Sequence, residues 1–294
     1  MKKIQMRAAY VVEIVTPKKF ILNGLWFGPK KPKRVIIWIH GLGSSMFGKL
    51  LIADELVDHE TAVLVFNNRG HNKVASVSGV GGKRIKGGAA HEVFTDCIDD
   101  IEGAINFARH AGVKNIYLAG HSTGSQKSAY WGYKKGKRVK GIILLAPMSD
   151  YSAATMLSGK RAVTRAAEVA RKLVRKGRAH DLLPADVWDW KLLADAQRFL
   201  SLYSGESVEE LFPYSQPHKN PTALKKSRVP TLVLLAEKDE FADRPAKKIA
   251  EWFDGHIRAP HRVVIVPKVP HSFKDGEKEV ARAIRQFLRP RKTQ

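Results

Sequence analysis

The sequence predicts an α/β fold: a mainly parallel sheet covered by helices on both faces, with a helical cap inserted. Three observations predict it. Short apolar runs alternate with helix-length stretches of apolar residues spaced three and four apart. Several runs are continuously apolar, as strands buried on both faces must be. The alternation stops for about seventy residues after Asp150 and then resumes, marking an insertion.

In order, Tyr10 to Thr16 and Phe20 to Pro29 read as strands that meet at Pro17. Their short link predicts an antiparallel hairpin. Lys33 to Gly41 (KRVIIWIHG) is a buried strand, Phe47 to His59 a helix, and Thr61 to Gly70 another strand. Asn72 to Ala90 holds five glycines and several lysines and is expected to be a mobile loop. His91 to Gly112 is a helix, with Phe94, Ile98, Ile101, Ile105 and Ala108 on its apolar face and Gly112 as its C-cap. Asp96, Asp99, Asp100 and Glu102 fall on its other faces and read as a solvated acidic surface rather than a metal site. Cys97 is expected to be buried. Strand NIYLAG, helix GSQKSAYWGYKKG and strand VKGIILLAP follow. Beyond the insertion come VPTLVLLAEKDE, helix PAKKIAEWFDG, strand RVVIVP and helix EKEVARAIRQFLR. The division expected is residues 1–150 and 224–294 as the core, and 151–223 as the cap.

A chain of 294 residues buries a substantial core without staples. One cysteine excludes an internal disulfide and a cysteine-rich zinc site. No stretch reads as a signal peptide or approaches a membrane span, so a cytoplasmic location is expected. The formal charge of +23 attracts anions. The excess is spread from Lys2 to Lys292, which argues against a dedicated nucleic-acid module. Lys160 to Arg178 carries eight Lys/Arg and one glutamate around a stripe of Val163, Ala166, Ala167, Ala170, Leu173 and Val174. An alanine-rich stripe inserts weakly, so a solvated cap helix is expected, not a stable membrane anchor. Trp188, Leu192, Phe199 and Tyr203 should pack the cap and can also line an apolar site.

The chemistry centres on Gly120-His121-Ser122-Thr123-Gly124, a G-x-S-x-G motif between a strand and a helix. Glycines permit a sharp turn that lifts the serine above the sheet edge. The helix behind it favours developing negative charge. Serine needs a base. Of 11 histidines, His271 lies just past the last strand, on the carboxyl side of the sheet where such sites form. His121 adjoins the serine but is expected to point away. His40 should pack or bond backbone, and His59, His110, His180 and His256 read as surface or loop residues. The loop after the preceding strand offers Glu237, Asp239, Glu240 and Asp243 as the orienting acid. Asp239 is favoured, with Asp150 its main competitor. Thr123 supplies one oxyanion amide, and HGLGSS supplies a second, from Leu42.

HGLGSS, GHSTGS, EKDE and PHSF, in this order at strand ends, resemble the α/β-hydrolases over nearly the whole chain. FNNRGHNKV, HEVFTDCIDDI and FLSLYSGESVEELFPYS are similar to a branch that includes siderophore-ester and feruloyl-type esterases. The resemblance implies Ser122 as nucleophile, His271 as base, Asp239 as acid, Leu42 and Thr123 as oxyanion amides, and no cofactor or metal. A serine in the elbow, where dehalogenases and epoxide hydrolases carry aspartate, implies acyl transfer. The expected function is cleavage of a small-molecule carboxylic ester, with aromatic or anionic substrates compatible with the composition. An amidase or peptidase with the same triad is the first alternative, and a non-catalytic ligand-binding member of the fold the second.

Overall fold

The computed structural model describes residues 6–188 and 193–289. Eight strands form one sheet in the order β1-β2-β4-β3-β7-β8-β9-β10. They are β1 (Tyr10–Val15), β2 (Ile21–Phe27), β3 (Arg34–Ile39), β4 (Thr61–Phe66), β7 (Asn115–His121), β8 (Gly141–Leu145), β9 (Thr231–Ala236) and β10 (His261–Val266). The expected hairpin is present, since β1 and β2 pair antiparallel. The pair β2–β4 is antiparallel too, and every pair from β4 to β10 is parallel.

Period-two alternation sorts the strand side chains onto two faces. Val35, Ile37 and Ile39 of β3 join one apolar cluster with α2 (Cys97–His110), α3 (Thr123–Lys134) and α8 (Ala246–His256). Ile36 and Trp38 join another with α1 (Leu50–Leu56) and α9 (Glu277–Leu288). Burial on both sides is why the strands read as unbroken apolar runs. Cys97 is buried, as expected.

Above the sheet's carboxyl edge lie α4 (Asp150–Ser158), α5 (Lys160–Arg175) and α6 (Ala196–Tyr203). Ala154, Val163, Ala166, Ala167, Ala170, Trp188, Phe199 and Tyr203 form a third apolar cluster there, and Leu42 packs against it. The α5 stripe is buried from Val163 to Ala170, whereas Val174 is 38% exposed. Leu192 lies outside the described residues. Leu211, Phe212, Tyr214 and Ala223 pack in the main core rather than with this cluster.

Three expectations are corrected. Asn72 to Ala90 is not a structureless loop: β5 (Ala75–Ser78) and β6 (Arg84–Gly87) pair as an antiparallel hairpin. Val77 is buried in the main core with Ile85 against it, while Gly81 and Gly82 supply the positive φ the turn needs. The helix expected from His91 begins its α-helical part at Cys97, after a short 3₁₀ turn at Phe94–Asp96. Its acidic residues are not a solvated surface. Arg69 Nε donates to Asp100 at 2.7 Å and Nη2 to Asp99 at 3.0 Å, and Nη1 lies 3.3 Å from Asp96. Asp99 and Asp100 are buried, and Glu102 accepts from Trp131 Nε1 at 2.9 Å. Burial pushes Asp100 up to about 6, against the pull of Arg69. Gly112 does end the helix with positive φ.

Candidate active site

From β3 the chain runs through α1 to β4 on one side, and from neighbouring β7 through α3 to β8 on the other, with α1 and α3 on opposite faces of the sheet. A crevice opens at such a reversal of strand order. Ile39 is in register with Gly120, which sets the HGLG turn beside the GHSTG turn. The approach is close. A Cβ on Gly41 would lie 3.0 Å from Ser122 Cβ, and one on Gly124 would lie 2.2 Å from the Ile39 carbonyl oxygen. A Cβ on Gly120 would meet the Gly124 carbonyl at 2.0 Å. Both elbow glycines are therefore demanded by backbone contact.

Ser122 itself has φ 56° and ψ −127°. Such a conformation costs a non-glycine residue about 1–3 kcal/mol. It is held in place: Ser122 N donates to Leu145 O at 2.9 Å, and Ser125 N to Ser122 O at 2.7 Å. Thr123 opens α3, so its amide belongs to the first turn, whose N–H groups have no acceptor within the helix.

The β9 and β10 loops are laced together. Lys238 N donates to Val269 O, Lys268 N to a Glu237 carboxylate oxygen at 2.8 Å, and His271 N to Glu240 Oε2 at 2.9 Å. Glu237 and Glu240 are thus spent on backbone amides, and Asp243 pairs with Arg244. Asp239 remains, and its Oδ2 lies 2.8 Å from His271 Nδ1. Its other oxygen accepts from Phe241 N at 3.0 Å. Asp150 has a different partner: buried at the start of α4, it accepts from Gln126 Nε2 at 2.5 Å. Burial, reinforced by Glu209 and Glu210, pushes its carboxyl well above the usual range.

Ser122, His271, Leu42 and Asp150 all line one cavity of about 360 Å³. Its remaining wall is largely apolar: Met148, Leu157, Trp188, Tyr203 and Phe241. The Ser122 hydroxyl is turned to the Met148 sulfur, 3.7 Å away. Among the described residues no hydrogen bond yet joins it to His271. Hydrogen bonds of this kind often tighten only when substrate is bound.

His121, expected to point apart from Ser122, reaches the loop that carries His271. Its Nε2 lies 2.9 Å from the His271 carbonyl oxygen, and the two rings are 5.0 Å apart. Burial foremost, with His271 and Lys49 adding to it, pushes His121 well below the usual imidazole range. It is therefore a neutral donor that braces the His271 backbone. His40 is buried with Nδ1 2.9 Å from Gly41 O, and burial takes it down to about 3. His180 reaches Asp195 and His256 stacks on Trp252, while His59 and His110 are exposed. Lys49, Met148 and Phe241 were not anticipated as site residues. Their only signal in the sequence is position in loops after strands.

Beneath the site runs a buried charge network. Lys127, one turn beyond Ser122, meets Glu92 at 2.5 Å, and Arg198 of α6 meets the same carboxylate at 3.0 Å. Arg198 also meets Glu209 at 2.5 Å. Among the described residues no His/Cys/Asp/Glu group could hold a metal ion, and no helix is long and apolar enough to cross a membrane.

The model of the family described as serine aminopeptidase, S33, matches residues 30–278. No curated protein matches. Three solved structures share the fold at low identity. The siderophore hydrolase EstB of Aspergillus fumigatus has 17% identity and a TM-score of 0.69, covering 98% of each chain. Est1E of Butyrivibrio proteoclasticus, solved with ferulic acid bound, has 19% identity and a TM-score of 0.64, covering 94% of this chain and 97% of its own. An esterase of Pyrococcus furiosus has 18% identity and a TM-score of 0.62, covering 96% and 91%.

Proposed function

Because the chain belongs to the serine aminopeptidase S33 family of α/β-hydrolases, we propose that it is a serine hydrolase that cleaves small carboxylic esters through an acyl-enzyme. One observation carries this reading: His271, with Asp239 behind it at 2.8 Å, lines the same cavity as the strained Ser122 elbow. In the reaction Ser122 Oγ attacks the ester carbonyl while His271 Nε2 takes its proton. Asp239 holds the His271 Nδ1–H and balances the imidazolium. The amides of Leu42 and Thr123 stabilise the tetrahedral oxyanion. His271 then protonates the leaving alcohol, and a water activated by His271 releases the acid. No cofactor enters. The apolar wall suits an aliphatic or aromatic acyl group. Ferulic acid in Est1E and the siderophore substrate class of EstB point to bulky esters. The helices α4 to α6 serve as the cap, while the end of the 151–223 segment, from Leu211, belongs with the core, and the protein works in the cytoplasm.

A fluorophosphonate probe tests the nucleophile. Wild type should be labelled and Ser122→Ala should not; equal labelling of both rejects the assignment. The second reading, an amidase or aminopeptidase, is favoured by the family description. Amide cleavage uses the same groups but must protonate a poorer leaving group. Matched ester and amide substrates of one acyl group separate the two, and the ester reading requires the ester to be turned over faster.

A further inference from the structure

We propose that Lys49 forms an anion subsite on the leaving-group side of the cavity, so that the preferred substrates are esters whose alcohol carries a carboxylate or phosphate. This rests on the ester-hydrolase reading above. Lys49 ends the loop after β3 in a left-handed conformation, φ 64°, just before α1. Its Nζ donates to Ser272 O at 2.7 Å, the carbonyl next to His271. An ammonium has three donors. Among the described residues no carboxylate lies within ion-pair distance of it, although Glu240 and Glu277 exert a weaker pull from farther off. Glu240 is already engaged by the His271 amide.

Lys49 lines two cavities. One is the Ser122 cavity; the other, of about 420 Å³, is a neighbouring groove lined also by Ser272, Lys274 and Glu277. It therefore stands between the reaction cavity and that groove. The side on which it stands follows from the chemistry. His271 gives its proton to the departing alcohol, so the alcohol leaves toward His271 and Ser272, where the ammonium is anchored. The acyl group is left the apolar wall of Leu157, Trp188 and Tyr203. Asp150, the carboxyl on that wall, is held toward its neutral form by burial and does not oppose an anion. Burial also lowers Lys49, so the free site holds a poorly solvated cation that an anionic group would relieve. Charge-assisted hydrogen bonds are about twice as strong as neutral ones.

The test uses the butyrate ester of glycolate, its phosphate counterpart 2-phosphoethyl butyrate, and the neutral isostere isobutyl butyrate. Binding is measured by calorimetry on Ser122→Ala protein, with Lys49 intact, Lys49→Met or Lys49→Arg; kcat/KM is measured with Ser122 present. The expected result is binding about tenfold or more tighter for an anionic ester than for isobutyl butyrate. Lys49→Met should abolish the difference and Lys49→Arg should retain most of it. The glycolate and phosphate arms show which anion is preferred. Equal binding of anionic and neutral esters overturns the proposal. So does an equal loss for both in Lys49→Met, which would make Lys49 only an anchor of the His271 loop. If anionic preference in binding persists while wild type turns over no ester, the hydrolase reading fails and the subsite stands.

Discussion

At the scale of single residues the site is defined by which carboxylate reaches which imidazole. Four acids follow β9, and backbone amides claim two of them, so that Asp239 alone is bonded to the His271 ring among the described residues. If these groups act as a unit, Ser122→Ala and His271→Ala should lose similar activity. Asp239→Asn should lower kcat on the order of 10⁴-fold, because an amide no longer selects the productive tautomer. Asp150→Asn gives the contrast: its carboxyl is bonded to Gln126 and not to His271, so kcat should fall less than tenfold, well short of the Asp239 loss. Steady-state kinetics on one chromogenic ester measures all four. A larger loss in Asp150→Asn than in Asp239→Asn would reverse the acid assignment.

At the scale of elements, α2 is fixed by a residue that lies far away in sequence. Arg69 satisfies Asp99 and Asp100 below the β1–β2 hairpin, where water cannot. Removing it strands buried carboxylates, so Arg69→Met should lower unfolding stability by about 3–5 kcal/mol in denaturant titration. The partner, 31 residues from Asp100, explains why the acidic face was misread. Periodicity reports that a residue is polar, not whether a counter-charge will meet it. The long strands β3, β4, β7, β8 and β9 were legible because burial on both faces leaves a continuous apolar run. The β5–β6 hairpin was not, because four-residue strands flanked by glycines and lysines carry too few apolar positions to signal. Motif and chain order were enough to expect His271 beside Asp239 and in one cavity with Ser122. They were not enough for His121, Lys49 and Met148, because their nearness to the crevice depends on loop conformation. Lys49 in particular requires a positive φ that no sequence pattern announces.

At the scale of the whole molecule, buried carboxyls make stability depend on pH. Burial pushes Glu210 up to about 7, against a hydrogen bond from Ser149 and the charge of Lys219. An acid whose folded pKa exceeds its unfolded value binds extra protons in the folded state. Its stabilising contribution is complete below about 4.5 and is lost as pH rises through about 7. Glu210→Gln, which cannot ionise, should therefore lose less Tm between pH 5 and pH 8 than wild type does. Equal losses in thermal melts would show that Glu210 is not a source of the dependence.

The Glu92 carboxylate joins Lys127 of the elbow helix to Arg198 of α6. A hinge that swung α6 away would pull Arg198 off Glu92 and Glu209 and leave charge stranded in a dry interior, at a cost of several kcal/mol. The roof and the elbow are thus riveted together at that point. The hold of α4 and α5 on α6 is mainly apolar, so parting them strands no charge. Leu157 of α4 lines the cavity and is 61% exposed, so widening the cavity at that edge breaks none of these ion pairs.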